Sequence, residues 1–350
     1  LNEALPPSPR RVRIVAASSV VAVVICALGG LAIGPLSIPW TGILASVVSH
    51  VGMGHSHLTS LQNLVVWQLR APRVVLALLA GAMLSVAGGT YQGVFRNPLA
   101  DPYLLGVAAG AGLGATIAIV NLGNGFTTPT WTPALAFGGA LLAVVLTWII
   151  GGRGMRSNSS TLILAGVAIA ALFTAFQTYL QQSNTSATIT RVYLWLLGSL
   201  ASASWHQVLI VLPYVVVCCA VCVASGRALD VLSVGDVESR SLGLPVSRVR
   251  LIVVLASSLG TAAVVSVVGL IGFVGIIIPH IVRLLVGTSY RRILPISLFF
   301  GAAFLVVADG VARTVVSPSE LPIGVVTALV GAPVFVLVLN LRRSRVIWPQ

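Results

Sequence analysis

The chain has 350 residues, 57% of them hydrophobic and 8% charged, with a mean hydropathy of +1.04. A soluble protein carries roughly 25% charged residues, so lipid rather than water is the solvent for most of this chain. The net charge of +13 does not indicate nucleic acid, because the arginines fall between apolar runs rather than along one face, and no lysine occurs.

In chain order, Arg10, Arg11 and Arg13 precede the first apolar run, 14–34. That run is longer than a signal-peptide core and no clear cleavage site follows it, so it reads as a retained span. Nine more apolar segments follow, at 74–94, 103–122, 133–150, 161–180, 207–225, 251–269, 271–287, 293–313 and 322–341. A span needs about 20 apolar residues, so ten crossings are predicted. The loop after the first span holds "SHVGMGHSH". Its His50, His55 and His57 read as part of a polar loop, with a metal or haem contact as the alternative. The four cysteines (Cys26, Cys218, Cys219, Cys222) lie inside apolar runs and read as small core residues.

Between the second and third segments stands "RNPLADPYLLG". Pro98 and Pro102 end one helix and open the next. Asn97 and Asp101 are placed to bond the freed backbone groups. With Arg96 these residues read as a rigid reversal. Two small-residue faces, Gly81/Ser85/Gly89 and Gly106/Gly110/Gly114, mark close helix packing. Gly269, Gly272 and Gly275 permit a sharp turn between the seventh and eighth segments. The stretches "LSVAGGTYQGVFRNPLADPYLLG" and "VSVVGLIGFVGIIIPHIVRLLVG" share glycines and a proline at similar offsets, the mark of an inverted repeat.

Residues 226–250 form the most polar loop, with Asp230, Asp236, Glu238 and four arginines. Val234, Val237 and Leu242 fall near helical spacing, and Ser233 with Asp236 resembles a capping box. Gly243 and Pro245 stop the helix. One or two short amphipathic helices are predicted here, facing a protein partner. With the N-terminus inside, sixteen arginines lie on the inner side and four (Arg70, Arg73, Arg191, Arg313) on the outer side. That excess places both termini in the cytoplasm. Arg70 and Arg73 read equally as lipid-headgroup anchors or as forks for a partner carboxylate. Asp309 and Arg313 are spaced to pair on one helix face. The sequence holds no phosphate-binding loop and no HExxH motif, and it presents no catalytic set. The lone intramembrane candidate carboxylate, Asp309, argues against an ion-coupled secondary transporter.

Six stretches between Leu69 and Phe335 carry a resemblance: "LRAPRVVLALLAGAMLSVAGGTYQGVFRNPLADPYLLGVAAGAG", "LWLLGSL", "LDVLSVGDVESRSLGL", "GLIGFVGIIIPHIVR", "VVADGVAR" and "ELPIGVVTALVGAPVF". The chain resembles the FecCD-type permeases of bacterial ATP-binding-cassette importers, which carry ferric siderophores, haem or cobalamin. The resemblance implies an all-α integral membrane protein with the ten-helix, inverted-repeat type II importer fold. It would have a cytoplasmic tail at 1–13, one permease domain over 14–341 and a second tail at 342–350. It implies the bacterial inner membrane, a second permease chain, identical or different, two cytoplasmic ATPase subunits and an extracytoplasmic binding protein. ATP and Mg would be bound by the ATPases and no cofactor by this chain. Arg70, Arg73 and Arg313 match the family's docking arginines. Coupling helices match 228–244, with Leu232, Asp236, Val237, Glu238, Leu242 and Gly243 meeting the ATPase. The pathway would pass Leu196, Leu197, Gly198 and Ser199, lined largely by the fifth span and the short helix after it. An iron chelate is the first expected cargo and cobalamin the alternative.

Overall fold

A computed structural model of the chain describes residues 8–34, 36–50, 58–122, 130–151 and 159–346. His55, His57, Arg153 and Arg156 and the ends 1–7 and 347–350 lie outside the described residues, as do the side chains of Arg342, Arg343 and Arg345. The described residues form helices and turns, with no strand among them.

Helix α1 (Pro9–Ala32) starts at Ser8, whose hydroxyl accepts the Arg11 amide, and has proline at its first position. The short helices α2 (Trp40–His50) and α3 (Ser60–Leu64) were not expected from the sequence. A π-helical stretch, Val65–Arg70, joins α3 to α4 (Ala71–Phe95). Then follow α5 (Val107–Leu122), α6 (Thr132–Gly151), α7 (Ser159–Gln182), α8 (Ser186–Leu196) and α9 (Trp205–Ala224). The polar loop forms α10 (Gly226–Leu232) and α11 (Asp236–Ser241). The remaining helices are α12 (Val246–Val268), α13 (Val274–Val286), α14 (Tyr290–Thr314) and α15 (Ile323–Val346).

Each predicted apolar segment falls on a helix, but among the described residues seven helices are by length and composition sufficient to cross a membrane. The apolar stretches Val107–Leu122, Val274–Val286 and Ile323–Leu337 are shorter. For the first two the cause is local. Turns at 96–106 and 269–273 take up residues that the hydropathy pattern assigns to helices.

Helix α4 is the hub, packed by α1, α9, α12, α13 and α14 and buried almost all round. Its small residues permit this. A methyl on Gly81 would overlap the Gly301 carbonyl, and one on Gly88 the Gly275 carbonyl. The Ser85 hydroxyl donates to the Ser297 carbonyl at 2.8 Å. Gly89, the third member of the predicted face, meets the Leu294 and Pro279 side chains instead. On α5, Gly110 and Gly114 press on the backbone of α6, whereas Gly106 precedes the helix as a left-handed turn residue, φ +83°. Cys218, Cys219 and Cys222 are buried and unbridged, and Cys26 is half-buried.

Candidate functional site

The C-terminus of α1, the N-terminus of α4 and the C-terminus of α14 meet at one end of the bundle. A helix end leaves its last four carbonyls without partners, which is costly away from water. In α1 the Ile33 amide takes Gly29, Arg313 takes Gly30 and Arg70 takes Leu31 and Ala32. Arg70 also reaches Leu36 and Arg313 reaches Ile33. Two of the three arginines expected to dock a partner, Arg70 and Arg313, are thus engaged within the chain. Arg70 is 5% exposed and Arg313 is buried, because both are engaged in capping α1.

Arg73 is placed differently. Its Nε and Nη2 donate to Asp309 at 2.8–3.1 Å, and its Nη1 and Nη2 donate to the two oxygens of Glu320 at 3.0 and 2.9 Å. Asp309 is 1% exposed and pairs with Arg313 at 3.1 Å, as its spacing predicts, but also with Arg73. Glu320 was not expected at this site. At the same end His50 stacks on Trp67 at 3.7 Å, and no metal-binding group occurs among the described residues.

At the opposite end Asp236, the first residue of α11, holds two arginines. Arg96 and Arg250 each donate to it at 3.0 Å. Arg96 sits in the left-handed conformation that terminates α4, and Arg250 lies buried in α12. One carboxylate therefore joins the reversal, α11 and α12. The predicted Ser233–Asp236 capping box does not form: the Ser233 hydroxyl donates to the Asp230 carbonyl, and Gly235 is the N-cap. Asp236 is drawn away by its arginines instead. Asp230 accepts from the Ser289 hydroxyl at 2.7 Å and the Tyr290 amide at 2.5 Å, tying α10 to the start of α14.

The predicted coupling residues separate accordingly. Val237 and Leu242 are 74% and 70% exposed, and Glu238 is exposed. Leu232 is 1% exposed and belongs to the core, because α10 turns that face toward α14. Asp236, expected to meet the ATPase, is paired within the chain with Arg96 and Arg250. Gly243, at φ +81°, ends α11 with its amide on the Arg240 carbonyl.

In the reversal, Asn97 accepts the Leu99 amide at 2.9 Å and Asp101 the Tyr103 amide at 2.7 Å. These are turn bonds, not helix caps, so Pro102 does not open α5, which starts only at Val107. Pro98 lines a polar cleft of about 450 Å³ shared with Gln92, Asp230 and Arg283. Pro102 packs on Gly275. Burial pushes the Asp101 carboxyl up to about 6, with the Tyr103 amide partly opposing it. The Tyr103 phenol donates to the Ile271 carbonyl at 2.9 Å and accepts the Ile271 amide at 3.0 Å. The two similar stretches of sequence are thus clasped together at their turns.

Beside this clasp lies an apolar cleft of about 500 Å³, lined by Tyr103, Leu196, Leu197, Leu270, Gly272 and Phe273 and by the start of α15. Of the expected pathway residues, Leu196 and Leu197 line this cleft and Gly198 and Ser199 do not. The Ser199 amide bonds the Val268 carbonyl, and the Gly198 carbonyl accepts the Ile323 amide. Those residues knit α8 to the end of α12 and the start of α15. Nor does α7, the expected main wall, contribute to the cleft.

The model of the FecCD transport family matches residues 21–341. The chain is 40% identical to the uncharacterized ABC transporter permease protein YvrB of Bacillus subtilis, over 89% of this chain and 88% of that one. It is 39% identical to the cobalamin import system permease protein BtuC of Halobacterium salinarum, over 88% and 81%. It is 40% identical to the vitamin B12 import system permease protein BtuC of Klebsiella pneumoniae, over 81% and 84%. Among solved structures, an inward-facing conformation of an ABC transporter assigned to the metal-chelate type superposes with a TM-score of 0.81. It shares 30% identity and covers 94% of this chain and 99% of that one.

Proposed function

The chain belongs to the FecCD transport family, and we propose that it is the permease subunit through which an ATP-driven importer takes up a metal chelate. Cobalamin is the first cargo in this reading. Several relatives near 40% identity over four-fifths or more of the chain carry cobalamin or vitamin B12 import names. An iron chelate is the second, favoured by the likeness to the metal-chelate type transporter. The cleft suits either, since it presents an apolar wall without a charged side chain among its lining residues. Selection of the cargo then rests with an extracytoplasmic binding protein.

The arrangement of α11 carries the mechanism. ATP is hydrolysed on separate ATPase subunits of the cytoplasmic side, and Val237 and Leu242 enter a groove on one of them. Buried apolar anchors dominate such contacts and rim charges contribute little. Displacement of α11 acts on Asp236, which holds Arg96 of the reversal and Arg250 of α12. The reversal and the turn that follows α12 meet again at Tyr103 and Ile271, beside the cleft. Moving the first junction therefore moves the second and alternates access to the cleft. At the outer end Arg73 receives the binding protein, while Arg70 and Arg313 hold the ground beneath it. The working unit is a pair of permease chains in the bacterial inner membrane, with both termini cytoplasmic.

The test is uptake into vesicles containing the permease, its ATPase and its binding protein. ATP-dependent entry of radiolabelled cyanocobalamin is expected, outcompeting ferric siderophore and haem. Leu242→Asp should release the ATPase, because an unpaired carboxylate in an apolar groove costs on the order of several kcal/mol. Glu238→Gln should be mild. Uptake driven by an ion gradient without ATP would overturn the assignment, and normal uptake with retained ATPase in Leu242→Asp would overturn the docking helix.

A further inference from the structure

We infer that Glu320 is a built-in competitor for the docking site: its carboxylate occupies the outward edge of Arg73 in place of the partner carboxylate that docking supplies. The inference rests on the reading of Arg73 as the docking arginine and concerns how that site is regulated.

Arg73 offers two edges. The inner one, Nε with Nη2, is fixed on Asp309, itself held by Arg313 and closed to solvent. The outer one, Nη1 with Nη2, meets Glu320 fork to fork, the two-bond geometry in which guanidinium recognises a carboxylate. Glu320 is 38% exposed in its side chain and stands in an exposed run, 315–320, between α14 and α15. Its pairing is thus of the solvent-accessible kind, which is weak, whereas the Asp309 pairing beneath it is buried.

Charge balance supports exchange rather than addition. Arg70, Arg73 and Arg313 gather at this end against the single buried carboxylate of Asp309. Glu320 removes one further charge, and the cluster stays positive. An incoming carboxylate is attracted by that excess, and the donor edge it fits is the one Glu320 covers. A bound partner therefore displaces Glu320, which moves with its exposed loop. In the absence of the partner Glu320 keeps the guanidinium satisfied and lowers the affinity for other acidic surfaces.

The experiment measures the affinity of the purified cognate binding protein for the intact permease–ATPase complex in lipid nanodiscs. The variants are Glu320→Gln, Arg73→Ala and the two combined, each checked by thermal melting. Glu320→Gln is expected to bind about two- to fivefold tighter, the size an exposed ion pair carries. The gain should vanish in the double variant and shrink with salt. If Arg73→Ala binds as well as the parent, the docking reading itself falls. If Arg73→Ala binds more weakly while Glu320→Gln is unchanged or weaker, docking stands and the competitor role is overturned. Glu320→Ala, read the same way, serves should the glutamine variant assemble poorly.

Discussion

Replacing Asp236 separates its two arginines, because they differ in burial. Arg250 is 7% exposed in its side chain and Arg96 is 40%, with Asp236 between them at 26%. Removing one partner of a fully buried pair costs about 3–5 kcal/mol, since the other charge is left uncompensated. An exposed pair is worth about 0–1 kcal/mol. The Arg250 side lies near the first limit, and its Nε already lacks a hydrogen-bond partner. Solvent access to Asp236 lowers the figure. Asp236→Ala is therefore expected to destabilise the permease by roughly 2–3 kcal/mol, and Arg96→Ala by less than about 1 kcal/mol. The two variants should also differ in kind. Arg96→Ala leaves α11 seated on α12 and cuts its tie to the reversal. It should retain the ATPase and hydrolyse ATP, yet import less cargo per ATP. Asp236→Ala cuts the ties to both Arg96 and Arg250, so α11 keeps the ATPase but transmits still less of its movement. The assays are thermal melting of the purified complex, co-purification of the ATPase, and the ratio of uptake to hydrolysis in vesicles. The two residues share one contact, so their double variant should be non-additive. An Asp236→Ala protein that melts within about 0.5 kcal/mol of the parent would refute the burial argument. A normal uptake-to-hydrolysis ratio in Arg96→Ala would refute transmission through the clasp.

Tyr103→Phe should cost about 2–6 kcal/mol, because it strands both the amide and the carbonyl of Ile271, at about 1–3 kcal/mol each; an unchanged melting temperature would show that the Ile271 peptide finds other partners. Asp101→Asn should stabilise the permease at neutral pH. Its carboxyl is raised in the folded state to about 6, so the folded chain holds the proton more tightly and the ionised form costs stability as pH rises from the unfolded value through that pH. The asparagine keeps the turn acceptor and removes the charge. The gain in melting temperature should be largest above about pH 6 and fade toward about pH 4, and a gain independent of pH would refute the assignment.

The apolar segments were legible because lipid imposes a simple constraint: a run of about 20 residues must satisfy its own backbone. The amphipathic α11 was legible too, from the spacing of Val237 and Leu242 and the glycine that ends it. Helices α2 and α3 escaped because they have 11 and 5 residues, too short to register as crossings. The reversal was read with helix caps where the chain makes side-chain turns. Asn97 and Asp101 serve either purpose, and only the left-handed Arg96 and Gly106 decide between them. Hardest to foresee were the pairings. Arg73 meets Glu320 across 247 positions and Arg96 meets Asp236 across 140. Composition states that such charges exist, but which of them share a helix end follows only from how the helices pack. The same gap explains Arg70. Its charge and position suggested a headgroup anchor or a fork for a partner carboxylate, and the open carbonyls of α1 that claim it become visible only when α1 lies beside α4.

The carboxylates also decide how energy can enter. An ion-coupled transporter needs an acidic group that faces its pathway and exchanges its proton or ion there. Among the described residues Asp309 lies between two arginines, Asp236 between two more, Asp230 on the start of α14, and Asp101 on a backbone amide. Glu320 covers Arg73, and Glu238 is exposed on α11. None of them lines the apolar cleft. If cargo moves through this cleft, as proposed above, the work is expected to arrive as displacement at a surface. The displaced element must be exposed on one side and fastened to the cleft on the other. Helix α11 meets both conditions, with Val237 and Leu242 outward and Asp236 inward. On the mechanism proposed above, the two faces of this six-residue helix would bear the input and the output of the same step, and a substitution on either face is expected to uncouple transport by a different route: the outer by losing the ATPase, the inner by keeping it without effect.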